Sequence, residues 1–170
     1  MDGAPPEFDL TQLRIRIAEQ RDHAAIRELF RQGHLEGAVR LNDTGADIEQ
    51  LFHAYFSDDG ASCFWVACYD DDVIGMIGVQ RTREATAEMC RLRVRQGFRR
   101  LGVGTALMEE ATEFCRRHGY LKVVLDVRVE RGPAIALFEK FGFSLARSRE
   151  IGERKMLDFY YDLYRDPAGK

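Results

Sequence analysis

The chain has 170 residues, 45% of them hydrophobic, with a formal net charge of −3 and a pI of about 5.8. This length and composition predict one domain over residues 1–170 that buries a sizeable core, with frayed ends at 1–12 and 165–170. The acidic balance argues against a dedicated nucleic-acid binder, and the sequence contains no apolar run long enough to span a membrane.

The first half of the chain predicts a strand, two helices and a three-stranded meander. Residues 13–18 alternate apolar and basic side chains as a strand does, and Asp22 is placed to cap the helix that follows. A second amphipathic helix is predicted around residues 48–56, after a segment punctuated by glycines. Two β-rich runs joined by three aspartates predict a hairpin, and a third strand follows: residues 61–69, 73–80 and 84–94.

The second half predicts helices that alternate with strands. Apolar side chains recur at helical spacing from Val103 until Gly119 ends the helix. Residues 121–127 form a strand whose continuous apolar centre predicts cover on both faces, and we expect a right-handed crossover into it. Another helix with proline at its start and two last strands follow: residues 132–142, 143–146 and 156–164. The predicted fold is α/β with a mixed sheet, in the order β-α-α-β-β-β-α-β-α-β-β.

The stretch Arg99-Arg100-Leu101-Gly102-Val103-Gly104, between a strand and a helix, is the strongest functional signal. Glycines lack a Cβ, so a ligand can approach the main chain, and the first turn of a helix offers N–H groups without intrahelical partners. Those donors and the helix dipole favour a diphosphate. A P-loop would need Lys-Ser/Thr where Val103-Gly104 stands, and the dinucleotide fingerprint would need a glycine at Leu107 and an early β-α-β unit. Both of these alternatives fail.

The loop resembles the acetyl-CoA signature of the GNAT superfamily of N-acetyltransferases, Gln/Arg-x-x-Gly-x-Gly/Ala. Upstream, residues 87–94 resemble the family's central strand, with Leu92 and Val94 just before the loop. Downstream, residues 125–128 (Leu-Asp-Val-Arg) and 134–143 (Ala-Ile-Ala-Leu-Phe-Glu-Lys-Phe-Gly-Phe) resemble another family motif. The resemblance implies a GNAT-type acyl-CoA N-acyltransferase fold.

The resemblance also implies an acyltransferase that uses acetyl-CoA as co-substrate and needs no metal. The acetyl group would pass to a primary amine of a small molecule or peptide that the sequence does not identify. Pantetheine would pair with main-chain groups of the central strand, and arginines would flank the phosphates. The residues implied to bind the cofactor are Leu92, Arg93, Val94, Arg99, Arg100, Leu101, Gly102, Val103, Gly104, Thr105, Arg131 and Phe138.

Glu88 is the implied catalytic base, because it stands where the histone-acetyltransferase branch of the superfamily carries its glutamate. An alkylammonium has a pKa of about 10, so a proton must leave before the amine attacks the thioester. The main-chain N–H of Leu92 matches the family's catalytic donor to the carbonyl oxygen, a contact worth roughly 3 kcal/mol at other acyl-transfer sites. The structural alternative for Glu88 is a cross-strand pair with an arginine on the wetter face of the strand.

Two residues depart from the family's pattern. Phe138 stands where many members have a tyrosine general acid, so the thiolate leaves unassisted or takes a proton from water or another residue. Tyr160 and Tyr161 are candidates, with ordinary packing as their alternative. Arg131 replaces an asparagine that contacts pantetheine, and it either reaches a phosphate or faces solvent. The missing tyrosine leaves a second function open, that of a catalytically silent acyl-CoA-binding sensor or regulatory module.

The acceptor is not indicated by any motif. Residues 33–47 are modestly acidic, because Glu36, Asp43 and Asp47 are opposed only by Arg40. This segment either attracts a cationic amine or is simply solvated. Two histidines in the acceptor region receive no role: His34 and His53.

Cysteine usage and the first residues bear on the compartment. Four cysteines without Cys-x-x-Cys spacing or matching histidines predict buried free thiols, which fit a reducing cytoplasm: Cys63, Cys68, Cys90 and Cys115. Residues 1–12 lack the basic and apolar segments of an export signal, so we expect a cytoplasmic protein. An exposed edge of the last strands leaves a homodimer open.

Overall fold

A mixed β-sheet is the framework of the molecule. The computed structural model describes residues 7–35 and 43–165. Its strands are β1 (Arg14–Ile17), β2 (Cys63–Tyr69), β3 (Asp72–Arg83), β4 (Thr86–Val94), β5 (Lys122–Arg128), β6 (Ser144–Ile151) and β7 (Arg154–Asp162). Within the described residues these seven strands form one sheet in the order β1-β2-β3-β4-β5-β7-β6. Only β4 and β5 are parallel neighbours there, so the predicted mixed sheet is confirmed.

Helices cover both faces of this sheet. They are α1 (His23–Leu35), α2 (Ala46–Glu49), α3 (Leu51–Phe56), α4 (Val103–Arg117) and α5 (Gly132–Lys140). On one face, Leu107 of α4 and Phe138 of α5 share a core with Trp65. On the other face, Leu51 of α3 shares a core with Phe64, so adjacent residues of β2 serve opposite cores. No helix in the described part of the chain is long and apolar enough to cross a membrane.

The start of α1 and the continuity of the second predicted helix differ from the sequence prediction. Asp22 does not cap α1, because the chain enters through a 3₁₀ turn at Gln20–Asp22, in which Asp22 accepts a hydrogen bond from the Glu19 N–H at 2.7 Å. Asp22 also accepts a hydrogen bond from Nη1 of Arg16 at 2.6 Å, which ties this turn to β1. The predicted second helix is two short helices, because Gln50 leaves the helical conformation with φ −104° and ψ 42°.

The segment before β1 is packed against the sheet. The ring of Phe8 stacks on Tyr69 with centroids 4.6 Å apart. The next residues form a 3₁₀ turn at Leu10–Gln12, capped by the side chain of Asp9. The prediction of a frayed end is therefore wrong for residues 8–12. The chain after residue 165 lies outside the described residues.

The parallel strands β4 and β5 diverge. They pair at Thr86, Ala87 and Glu88 of β4, whose partners on β5 end at Val124. Beyond these three pairs of the described chain, β4 continues to Val94 and β5 to Arg128 without pairing to each other. The divergence opens the sheet on the side where β4 leads into the glycine loop.

The prediction that β5 is covered on both faces is wrong. Val123, Leu125 and Val127 are buried, whereas Lys122 and Asp126 of the alternate register are exposed. The reason is the divergence of the strands, because the second face of β5 borders the opening and bears charged side chains.

Candidate active site

A β-bulge interrupts β4 where the strand passes the opening. The register with β3 shifts within residues 90–93, so that Arg91 and Leu92 together lie opposite Ile77. Arg91 has a φ of 60°, in the left-handed region that a non-glycine residue rarely adopts. A bulge frees main-chain groups of the extra residue from the ladder, and the expected carbonyl donor, Leu92, is one of its two residues.

Ion pairs that the sequence does not reveal brace this bulge. Nη1 of Arg91 lies 2.5 Å from Oδ2 of Asp43, and Nη2 lies 2.5 Å from Oδ1 of Asp47. The guanidinium carbon lies 5.0 Å from the ring centroid of Phe30 in α1. Burial would raise the pKa of Asp47, but hydrogen bonds from Arg91 and Tyr55 outweigh it and hold this pKa below its usual range.

The acidic segment is therefore engaged within the protein. Asp43 and Asp47 both bind Arg91 at the bulge, so neither carboxylate is simply solvated, and their attraction of a cationic amine stays a prediction. Their contacts also attach the segment before α3 to the central strand. Glu36 and Arg40, the other charges of that prediction, lie outside the described residues.

A tyrosine and a cysteine extend this network beneath the bulge. Tyr55 Oη donates to Oδ2 of Asp47 at 2.6 Å and lies 3.2 Å from Sγ of Cys90. Burial raises the pKa of the Cys90 thiol to about 12, so this sulfur is not a thiolate nucleophile at neutral pH. All four cysteines are free, as the sequence predicts, but only Cys63 and Cys115 are fully buried. Burial likewise raises the pKa of Cys115 to about 12.

The opening between β4 and β5 is a cleft of about 650 Å³. Phe30, Asp43 and Asp47 form the wall on the side of α1 and α2. Several predicted site residues line it together: Glu88, Leu92, Arg93, Arg131 and Phe138. The remaining predicted residues follow β4 toward α4 and are not in its described lining: Val94 and residues 99–105.

Glu88 lies on the sheet face that α1–α3 cover. Its neighbours Ala87 and Met89 belong to the core shared with α4 and α5, and strand side chains alternate, so Glu88 projects to the opposite side. The residue is half-buried and pairs in register with Gln80 of β3 and Val124 of β5. Glu88 thus stands where the parallel ladder ends and the cleft begins.

The glycine loop opens helix α4, as the sequence predicts. Gly102 is the N-cap of α4 with a φ of 91°, and it has no side chain to occupy the first-turn N–H groups. A Cβ on Gly104 would lie 3.2 Å from Cδ2 of Leu137 and 3.9 Å from Cγ2 of Val94, so this glycine lets α4, α5 and the end of β4 approach closely. These features fit a diphosphate bound by main-chain donors.

The side chains around the loop differ in their contacts and in their exposure to solvent. Nε of Arg99 donates to the carbonyl oxygen of Val94 at 3.1 Å, which fixes the loop to the end of β4. Arg100 is exposed and has a φ of 63°. Val103 is buried in the core, whereas two further predicted residues are half-buried: Leu101 and Thr105.

Phe138 is buried in the cleft wall, with its ring centroid 6.1 Å from that of Phe143. The tyrosines considered as substitute acids are engaged in packing. Tyr161 stacks on Phe143 at 5.4 Å, and Nζ of Lys122 lies 5.3 Å from the Tyr160 ring centroid. Neither tyrosine is in the described lining of the cleft, so packing accounts for both.

Arg128 is a charged residue of the cleft that received no role from the sequence. Arg128, the last residue of β5, lines the cleft with a side chain that is 13% exposed. Asp126 projects from the same strand and lies 3.4 Å from Nη2 of Arg149 on β6. The signal in the sequence is an arginine at the end of a strand, on the same face as Lys122 and Asp126, and this pattern by itself also fits a surface position.

Comparison with known proteins agrees with this architecture. The sequence pattern of the Acetyltransferase (GNAT) family matches residues 18–143. Among solved structures, a GCN5-related N-acetyltransferase from Kribbella flavida superposes with a TM-score of 0.79 at 22% identity, over 91% of this chain and 100% of that one. A protein from Salmonella typhimurium, solved with its cofactor acetyl-CoA, gives 0.72 at 20% identity, over 94% and 98%. These structures show that the fold is shared.

Curated relatives match over a shorter region. N-acetyltransferase 8 from Homo sapiens is 34% identical over 102 residues, which cover 57% of this chain and 44% of that protein. N-acetylaspartate synthetase from Rattus norvegicus is 37% identical over 104 residues, which cover 61% of this chain and 33% of that protein. The chain therefore spans less than half the length of these curated relatives.

Proposed function

The chain belongs to the GNAT family of acetyltransferases, and we propose that it transfers the acetyl group of acetyl-CoA to a primary amine of a small molecule or peptide. The observation that carries the proposal is the position of Glu88, at the end of the parallel ladder and in the wall of the cleft. The bulge places Leu92 in the same cleft. A base and a main-chain donor that border one cleft are what acyl transfer to an amine requires.

Acetyl-CoA supplies an activated acyl group as a thioester. The first-turn N–H groups of α4, behind Gly102, would hold its diphosphate, with Arg99 and Arg100 beside it. Main-chain groups of Leu92 and Val94 would pair with the pantetheine arm where β5 has left β4. In the part of the chain that the structure describes, these main-chain groups of β4 beyond Glu88 are not paired with β5, and no side chain caps the first turn of α4.

Glu88 would take the proton from the acceptor's ammonium group, directly or through a water molecule, and so produce a nucleophilic amine. The Leu92 N–H would donate to the carbonyl oxygen as negative charge develops there. Phe138 carries no proton to give, so the departing thiolate would leave unassisted or be protonated by water. A thiol with a pKa of about 8.5 is a tolerable leaving group.

The test is a thiol-release assay with acetyl-CoA and a panel of amines, amino acids and peptides, run beside calorimetry of CoA binding. Glu88→Gln should lower kcat by about 10²-fold to 10⁴-fold and leave the Kd for CoA unchanged. Glu84→Gln, four residues upstream on an exposed turn, is the matched control and should keep full activity.

Each contrary result has a distinct meaning. Equal activity of the two variants would remove Glu88 as the base. CoA binding without amine-dependent thiol release would favour the silent acyl-CoA sensor, for which the buried Phe138 is the supporting observation. A protein that does not bind CoA would overturn the proposal as a whole.

A further inference from the structure

Two of the three nitrogen atoms of the Arg128 guanidinium are buried without a hydrogen-bond partner among the described residues. These two atoms are Nε and Nη1. The nearest carboxylate oxygen is Oε2 of Glu130, 3.6 Å from Nε, which is beyond hydrogen-bond distance and belongs to a side chain that is 57% exposed. A buried charged donor without a partner is costly, so a cation in this position indicates an anionic ligand.

The sheet face on which Arg128 lies separates it from the cofactor's phosphates. Val123, Leu125 and Val127 pack into the core of α4 and α5, so Arg128 in the alternate register projects to the opposite face. That is the face on which Glu88 lies. The glycine loop, in contrast, opens α4, which covers the other face.

Strand register places Arg128 opposite the bulge. From the Glu88↔Val124 pair, Arg128 lies four residues along β5, about 13 Å at the strand rise of about 3.3 Å per residue. Leu92 lies four residues along β4 from the same pair, one of them the extra residue of the bulge, and Leu92 and Arg128 both line the opening. The guanidinium therefore borders the region in which the acetyl group and its acceptor would meet.

Three acidic side chains of the cleft other than Glu88 are engaged with other arginines. Asp43 and Asp47 bind Arg91, and Asp126 contacts Arg149. Among the described residues, the ion pair of Arg128 is with Glu130 and not with these carboxylates. A planar guanidinium with free donors recognises a carboxylate through two parallel hydrogen bonds.

We propose that the acceptor is a primary amine that also carries a carboxylate, an amino acid, and that Arg128 binds this carboxylate while the amine faces Glu88. This proposal rests on the proposed acetyl transfer and specifies its substrate class. Arg128 is a binding residue, and its contribution should appear in the selectivity for the acceptor and not in the affinity for acetyl-CoA.

The experiment compares free amino acids with their α-carboxamides as acceptors, with glycine, alanine, aspartate and glutamate as the panel. The wild-type protein should acetylate at least one free acid with a kcat/KM well above that of its amide. Arg128→Gln should lower kcat/KM for that acid by at least about thirtyfold, abolish the discrimination and leave the KM for acetyl-CoA unchanged. Arg128→Lys should retain part of the preference, and Arg83→Gln, on the exposed end of β3, should retain all of it.

A binding measurement keeps the two proposals separable. The same acids and amides are titrated by calorimetry into each protein saturated with CoA, after thermal melts confirm that the variants are folded. Acid binding that depends on Arg128 without any turnover would support this site and contradict the proposed function. Turnover with equal use of acids and amides, or a weaker affinity for CoA in Arg128→Gln, would overturn the assignment of Arg128.

Discussion

Gly102→Ala tests whether the loop before α4 binds the cofactor through its main chain. Gly102 has a φ of 91°, and an alanine held there costs about 1–3 kcal/mol of folding free energy. The new Cβ would lie 3.1 Å from Cδ2 of Leu10, a side chain that is 48% exposed and free to move, so steric overlap adds little. A loss of about 2 kcal/mol corresponds to a Tm lowered by about 4–8 °C in a domain of this size.

Gly102 is the N-cap of α4, so a strained alanine there should displace the first-turn N–H groups, and we expect the Kd for acetyl-CoA to rise by about tenfold or more. Calorimetry well below the lowered Tm measures this affinity on folded protein. Gly152→Ala is the matched control, because Gly152 has a φ of 63° in the β6–β7 hairpin with open space around its Cβ position. It should lose similar stability and bind acetyl-CoA normally. Unchanged affinity in Gly102→Ala would refute the assignment of the loop.

Three further substitutions probe the framework. Asp47→Ala removes one of the two carboxylates that bind half-buried Arg91 and should cost about 1–3 kcal/mol in a urea unfolding experiment, whereas a loss below about 0.5 kcal/mol would mean that the brace is unimportant. The hydrogen bond from Arg16 lowers the pKa of Asp22 in the folded state. The ionised Asp22 therefore stabilises the fold fully above the pKa that this residue has in the unfolded chain, and this stabilisation is lost as the pH falls through the folded-state pKa. Asp22→Asn should therefore lower the Tm at neutral pH, and the Tm of this variant should fall less steeply than that of the wild-type protein between about pH 5 and 2. Equal slopes of Tm against pH in the two proteins would contradict this. Gly78→Ala would place a Cβ 2.8 Å from a buried tyrosine ring and should cost about 1–3 kcal/mol by thermal denaturation, and a neutral result would show that the ring yields.

Local patterns in the sequence predict most of the fold. The spacing of apolar residues predicts α4, and Gly119 follows its end with a φ of 73°, as a residue that terminates a helix does. The two aspartates with positive φ at 70–71 explain why the β2–β3 hairpin follows the predicted boundaries closely. The break at Gln50 and the turn before α1 were not predictable, because tertiary packing decides between one helix and two short ones.

The site is only partly predictable, for a related reason. The glycine loop, Glu88 and Leu92 lie within a contiguous pattern, and the structure brings Glu88 and Leu92 into one cleft. Arg91, in contrast, pairs with carboxylates that lie 44 and 48 residues away in the sequence. No local feature of the sequence predicts that this arginine adopts the left-handed conformation. The role of Arg128 depends on which strands diverge, which is a property of the sheet and not of the residue's neighbours in sequence. The roles of Glu88 and Leu92 in catalysis stay predictions.

Strands β4 and β5 pair over only three residues in the described chain, so the sheet consists of two parts, β1–β4 and β5–β7, with few hydrogen bonds between them. These two parts are called plates below. A molecule that occupies the cleft touches both plates, so its binding free energy also opposes their separation. Cofactor binding should therefore slow amide hydrogen exchange at the seam, in residues 89–94 and 125–128, more than at the outer strands. A ligand in the cleft would thus add contacts between two parts of the sheet that the three residue pairs alone hold together there.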